Sequence, residues 1–542
     1  MQRLDQDDED FGEGYIAESH PLRPTHLSVP MGGRSDSRAP SISSSVSDLD
    51  VPIYTRETTI PVSARRGLNG RLLFAIAAAA LGSSFQHGYN TGVVNAPQSL
   101  IEDWISWTLK NRTISDTNPT GTTPTKGDVT FIWSIAVAIF CVGGMIGGSL
   151  VGVIADKLGR KGGLLWINVL VVVAVVLEGF SRMAKSFEMI ILGRFIIGIN
   201  AGCNAGLAPM YLAEISPMHL RGAVGTVYQL VITISILVAQ ILGMNQLLGT
   251  VDHWPLLLCL TIVPAIFQLC TLPLCPESPK YLLLSRGKDM EAQKSLAWLR
   301  GTIEVHDEME DMRAEYESVK LVPRVTLKEL FVNPTLRIPL FIAVMVMFAQ
   351  QFSGINAVMF FSTKIFEMAQ LGESAKSATI GVGAMNVVMT LVSLILVEKA
   401  GRKTLMLLGF GGMVIVTSLL TVCLSYADVS SAAAYSSIVL VILFVVLFAI
   451  GPGSIPWFLV SELFNQSARP PATSVAIAIN WSANFLVSVA FLPLQEALGA
   501  KVFVIFALLQ AGFTFFIWKK VPETKNKTME EISSMFRQRS YQ

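Results

Sequence analysis

The chain has 542 residues, of which 51% are hydrophobic and only 15% charged, with a formal net charge of +1. A soluble domain carries about a quarter charged residues, so this chain cannot cover itself with polar surface and must meet lipid. The balanced charge gives no basis for a nucleic-acid partner, and six cysteines without a C-x-x-C pair give no metal site.

Residues 1–66 are polar and acidic, then rich in Ser, Pro and Arg; they bury nothing and are expected to form a disordered cytosolic tail. A helix needs about 20 apolar residues to cross about 30 Å of hydrocarbon. Such stretches lie near 71–94, 129–154, 163–181, 187–211, 222–246 and 254–274, and again near 337–363, 377–397, 404–425, 436–460, 471–494 and 501–519. The expected fold is therefore an all-α membrane protein of twelve spans. Its halves are 67–279 and 336–520, with a hydrophilic insert at 280–335 and a tail at 521–542. The insert has two helix-like stretches, 288–300 and 307–320, offering Leu296, Trp298, Leu299, Met309, Met312 and Tyr316 as apolar contacts. They read as short cytosolic helices clasping the loops beneath the bundle.

Basic residues orient the spans. Arg65, Arg66, Arg71, Lys157, Arg160, Lys161, Arg221, Lys399, Arg402, Lys403 and Arg469 fall on one side, with the insert and the C-terminal tail. Both termini and the insert are therefore expected in the cytosol. Asn111-Arg112-Thr113 is a glycosylation sequon in the longest loop of the opposite side.

The halves repeat each other. Asp156-Lys-Leu-Gly159-Arg160-Lys161 is echoed by Glu398-Lys-Ala-Gly401-Arg402-Lys403, Glu214…Arg221 by Glu462…Arg469, and Pro276-Glu277-Ser278 by Pro522-Glu523-Thr524, all at nearly one offset. Parallel six-span halves related by an axis along the membrane normal form an alternating-access architecture, with the substrate at their interface. The repeated charges Asp156, Arg160, Glu214, Arg221, Glu398, Arg402, Glu462 and Arg469 are expected to act as a cytosolic gate, pairing across the halves when the inner side shuts. Pro452 and Pro456, with Gly451 and Gly453, are expected to break span ten.

Mid-span, ionisable residues are nearly absent apart from His87 and Arg194, whereas amides abound: Asn90, Asn95, Gln229, Gln350, Gln351, Asn356, Asn386, Asn480 and Asn484. Polar groups in hydrocarbon must be satisfied, so these face the bundle interior or a wet cavity. An amide both donates and accepts, as a hydroxyl does; an uncharged amide-lined cavity suits a neutral polyol. Trp457 offers a flat apolar face for the C–H side of a sugar ring. For any single amide, gluing helices together is an equal reading. No P-loop, metal-ligand cluster or nucleophile–base arrangement points to an enzyme, and no cofactor is implied.

From about residue 70 to 535 the chain resembles the sugar porters of the major facilitator superfamily, above all the animal facilitative glucose transporters. The resemblance rests on Gly88-Tyr89-Asn90-Thr91-Gly92, Gly193-Arg194-Phe195, Pro276-Glu277-Ser278-Pro279-Lys280, Gln350-Gln351-Phe352-Ser353-Gly354-Ile355-Asn356, Gly451-Pro452-Gly453-Ser454-Ile455-Pro456-Trp457 and Pro522-Glu523-Thr524-Lys525. It implies a hexose carrier, D-glucose first, in the plasma membrane. Gln229, Gln350, Gln351, Asn356, Asn386, Trp457, Asn480 and Asn484 would touch the sugar, with Thr91, Asn95, Phe448 and Ala449 nearby. Where those glucose carriers have a glutamate before the span-ten Gly-Pro-Gly, this chain has Ala449; where they have Tyr-Tyr after the span-seven asparagine motif, it has Phe360-Phe361, an apolar outer gate. Proton-coupled relatives carry an aspartate where Asn90 stands, which implies uniport. Fructose or another polyol, a proton-coupled symporter and a transporter-like sugar sensor are the alternatives.

Overall fold

The computed structural model describes residues 67–115, 124–323, 325–465, 467–527 and 529–540, and these are helical without a strand. The tail expected to be disordered lies outside them. Among the described residues, ten segments are long and apolar enough to cross a bilayer: Lys126–Leu158, Arg160–Phe180, Phe187–Ile215, Arg221–Leu242, Trp254–Leu274, Pro334–Met368, Ser374–Val397, Arg402–Ser425, Ser431–Leu463 and Arg469–Lys520. The last is two helices, Arg469–Leu498 and Val502–Lys520. Ahead of them residues 70–92 form another, with a π-helical turn at Ala80–Ser84 and a polar second half. These are spans one to twelve in chain order.

Local chemistry starts the spans where they start. Asn69 caps span one by accepting from the amides of Arg71 and Leu72. Thr125 and Asp128 form a capping box at the head of span two. Within the first half, spans two and four pack backbone to backbone. A side chain at Gly147 or Gly202 would collide with the facing helix, the small-residue contact that membrane helices use in place of a hydrophobic drive.

Spans seven and ten are broken by backbone that leaves the helical conformation. Span seven stops at Phe352 and restarts at Ile355, the turn made by Gly354 at φ +93°, where a Cβ would also press on the Phe506 ring. Span ten stops at Ile450 and restarts at Ile455, around the Gly451–Pro452–Gly453–Ser454 step.

The insert forms helices Asp289–Arg300, His306–Lys320 and Leu327–Val332. Leu296, Met309 and Met312 join Leu283, Ala292 and Val305 in a small core, and Leu299 is buried against the first half. Tyr316 does not join them; it stands 39% exposed. The insert is tied to the first half: Asn69 donates to the Leu299 carbonyl (2.8 Å), Arg300 to the Ile215 carbonyl (2.7 Å) and Ser295 to the Glu277 carbonyl (2.6 Å).

Across the halves, span two packs on span eleven and span five on span eight. The buried apolar clusters reveal the state of the seam. On the insert side each half has its own core, one around Leu207, Tyr211 and Leu212, the other around Met406, Phe410 and Phe464. On the far side one cluster runs through both, joining Tyr89, Trp104 and Trp133 to Phe360, Phe361 and Phe491. The halves are closed on the far side.

Candidate functional site

The break in span seven sets the site. With the helix interrupted after Phe352, Gln350 and Gln351 end one piece and Asn356 begins the next, so three amides from seven residues converge. Gln350 donates through Nε2 to the carbonyls of Pro452 (3.0 Å) and Gly453 (2.7 Å), which the broken span ten leaves without helical partners. Its Oε1 accepts from Asn480 Nδ2 at 2.7 Å and more loosely from Gln351 Nε2 at 3.4 Å. Asn356 donates to Gln351 Oε1. Gln350, Gln351 and Asn480 are all buried. Asn484, one turn below Asn480, accepts from Ser488 at 3.1 Å. Spans seven, ten and eleven thus share one connected, uncharged amide chain.

The other expected sugar contacts surround it with less engaged groups. Trp457 is 41% exposed on the second piece of span ten. Gln229 is exposed on the same face of span five as Gly222 and Gly225, and Asn386 and Phe448 are half-buried; Ala449 is buried. Thr91 bonds back to the His87 carbonyl (3.0 Å). Trp481, beside Asn480, was not among the expected residues. It stacks on His87 across the seam (centroids 6.2 Å apart) and meets the edge of Phe140, while His87 Nδ1 lies 3.3 Å from the Tyr228 hydroxyl.

Asn95, expected near the sugar, is fully hydrogen-bonded to span seven in this state. Fully buried on the far side, it donates to the Met359 carbonyl (3.0 Å) and Ser362 Oγ (2.6 Å) and accepts from the Thr363 amide (3.0 Å). All these partners lie on span seven, so Asn95 is a clasp between the halves. Phe360 and Phe361 are buried just beside it, with Phe361 stacked on Phe491.

The charges on the insert side form two copies of one cage, each inside its own half. In the first, Arg160 pairs with Glu214 (3.0 Å), Ser278 donates to Glu214, and Glu277 accepts from the amides of Arg160, Lys161 and Gly162. In the second, Arg402 pairs with Glu462 (3.0 Å), Thr524 donates to Glu462, and Glu523 accepts from the amides of Arg402 and Lys403. A glutamate at a helix N-terminus also meets the positive end of the helix dipole. Pairing across the halves is not what these four residues do in this state; their partners are internal, because Glu214 lies on span four of the half that holds Arg160, and Glu462 on span ten of the half that holds Arg402. Asp156 is exposed, Arg221 half-buried, and Arg469 donates to the Phe464 carbonyl (3.3 Å). The Glu398 side chain lies outside what is described.

Behind the site the first half holds further buried polar groups, among them Arg194 and Asn90, which the sequence had singled out. Gln86, Asn168 and Gln268 are linked in series (3.0 and 2.9 Å), Gln268 donates to Ser83 (2.8 Å), and Asn204 donates to Asn200 (2.9 Å). Glu178 is fully buried in span three, as is Arg194 in span four, which donates to the Asn90 carbonyl (2.8 Å). The side chain of Asn90 donates to Thr261 (2.8 Å).

A family model described as "Sugar (and other) transporter" matches residues 75–536. The chain belongs to the sugar transporter family. Within it, the chain is 48% identical over 474 residues to facilitated glucose transporter member 4 of solute carrier family 2 from Mus musculus, covering 87% of this chain and 92% of that one. It is 45% identical to member 1 from Gallus gallus, with 87% and 94% covered. Among solved structures it is similar to the xylose transporter XylE from E. coli in a partially occluded inward open conformation. There the TM-score is 0.69 at 25% identity, covering 85% of this chain and all of that one. It is also similar to the proton:xylose symporter XylE bound to 6-bromo-6-deoxy-D-glucose, with TM-score 0.65, 25% identity and 86% and 99% covered. This sugar transporter is therefore a multi-pass membrane protein with the major facilitator fold, near the animal facilitative glucose transporters.

Proposed function

We propose that the chain carries a hexose, D-glucose first, downhill across the plasma membrane by alternating access, with its insert and both termini in the cytosol. The observation that carries this is the uncharged amide chain Gln350–Gln351–Asn356–Asn480 at the meeting of spans seven, ten and eleven. It offers donors and acceptors to hydroxyls without favouring an ion. Trp457 supplies the apolar face, and Gln229, Asn386 and Asn484 complete the contacts. The far side, closed by Asn95 and the phenylalanines, is then the outer side, and Asn111, exposed on helix Gln98–Ser115, is the glycan acceptor. Sugar binding from the cytosol draws the insert-side ends together, the outer seam parts, and the sugar leaves outward; the reverse path brings it in. The two charge cages keep each half rigid during this exchange.

Asn90 does not titrate, which supports uniport. One observation favours proton coupling as the second reading: Glu178 and Arg194 are buried beside span one. Ala449, in place of a glutamate, favours fructose as the second sugar. Uptake of labelled glucose and fructose into proteoliposomes, with and without an imposed proton gradient, separates these. Saturable, gradient-independent uptake that never exceeds equilibrium is the expected result. Accumulation above equilibrium driven by the gradient would overturn uniport.

A further inference from the structure

Where the halves meet on the far side, beside the Asn95 clasp, a small cavity is lined by Gln98 and Glu102 from the first half and by Thr363, Lys364 and Glu367 from the second. The charge there is unbalanced. Glu102 faces Lys364 and Glu367 on span seven and Glu496 on span eleven, and Lys376 on span eight also acts on Glu367, so three carboxylates share two ammonium groups. Lys364 is drawn toward Glu367, at 3.7 Å within its own helix, and Glu496 accepts from Thr130 of the other half. Glu102 is left with the Gln98 amide (3.0 Å). Burial at the seam pushes its carboxyl above the usual range; the Gln98 bond and Lys364 oppose this, and Glu367 and Glu496 add to it. Gln98 is itself buried, with its side-chain oxygen lacking a donor. Once that amide turns over, a protonated Glu102 supplies the donor.

Glu102 and the charges of spans seven and eleven belong to opposite halves, so they meet across the seam when it is shut. When the halves part, Glu102 returns to water and its ordinary affinity for a proton. We propose that the Glu102 cluster is a proton-operated latch: acid on the far side of the membrane holds the outer seam closed. The sign follows from linkage. The closed state binds the proton more tightly than the open state, so lowering the pH populates the closed state, and raising it releases the seam. The effect is opposite to symport, in which outer acid drives sugar inward. The inference rests on the transport reading for its direction, and on the seam geometry alone for its existence.

The test has two arms. In proteoliposomes of the full chain, glucose entry is followed as outer pH falls from about 7.5 toward the ordinary carboxyl range at constant inner pH, the direction in which a raised carboxyl is protonated before an ordinary one. The half-saturating outer concentration should rise as the outer pH falls, by about twofold. E102Q should remove most of that dependence and behave at neutral pH as the parent does in acid. In the second arm, spin labels at Lys110→Cys and Asp428→Cys, both exposed on the far side of opposite halves, report the seam by pulsed EPR. Acid should enrich the short distance in the parent and not in E102Q. An unchanged pH profile of entry or of distance in E102Q overturns the latch. Absence of sugar entry at any pH would overturn the transport reading, and the EPR arm would still decide the latch.

Discussion

Replacing Asn95 by Ala isolates the clasp. The substitution removes three hydrogen bonds to span seven and strands the buried Thr363 amide. Neutral bonds contribute about 1 kcal/mol each and a stranded buried donor costs about 1–3 kcal/mol. Because these contributions overlap, a loss of about 3 kcal/mol is reasonable, or roughly a hundredfold in equilibrium constant. All three bonds cross between halves, so the loss falls on the closed far side and spares the fold of each half. Turnover at saturating glucose should fall about tenfold or more, as the closed state becomes scarce. Sugar presented from the far side should bind more tightly, and the thermal unfolding midpoint should move little. Parental turnover together with a lowered midpoint would refute the reasoning, since Asn95 would then be holding the fold together rather than the state.

Gln350→Ala should reduce glucose uptake by about a hundredfold, counting about 3 kcal/mol for its buried partners left unmatched, while Trp457→Ala should weaken apparent affinity about tenfold with the protein still in the membrane; proteoliposome uptake and surface labelling read both. Arg402→Ala opens the second cage and should slow turnover severalfold while equilibrium sugar binding stays within about twofold, because only a partly exposed pair is lost. Asn168→Leu leaves Gln86 and Gln268 without their shared partner; the expected destabilisation is about 2–4 kcal/mol, visible in thermal unfolding.

The spans, the repeat and the break in span ten were legible because each is written in a local pattern: apolar length, basic loops, Pro and Gly at fixed places; the break in span seven was not expected. The amides near Gly354 were legible as a cluster for the same reason. What the chain could not show was partnership. Nothing near Asn95 in sequence marks it as the mate of a strip of span seven more than 260 residues later. The repeated charges read as a gate across the halves, yet Arg160 and Arg402 each reach a carboxylate of their own half. A linear repeat records which residues recur and not which of the two copies they face. Glu178, not singled out by its sequence at the end of a valine-rich run, is buried because span three leans on Gly193 of span four. Tyr316 fitted an apolar stripe, but the insert's core is complete without it.

The span-ten break carries a lesson about how selectivity can change. Gln350 fills the carbonyls that Pro452 and Gly453 leave open and also anchors Asn480. A residue that mends the backbone cannot be exchanged freely to suit a new cargo. Freedom to diversify lies with neighbours such as Trp457, Gln229 and Asn386, whose side chains make no hydrogen bond among the described residues, so a lineage drifting from one sugar to another would be expected to record its history at those positions and keep the glutamine.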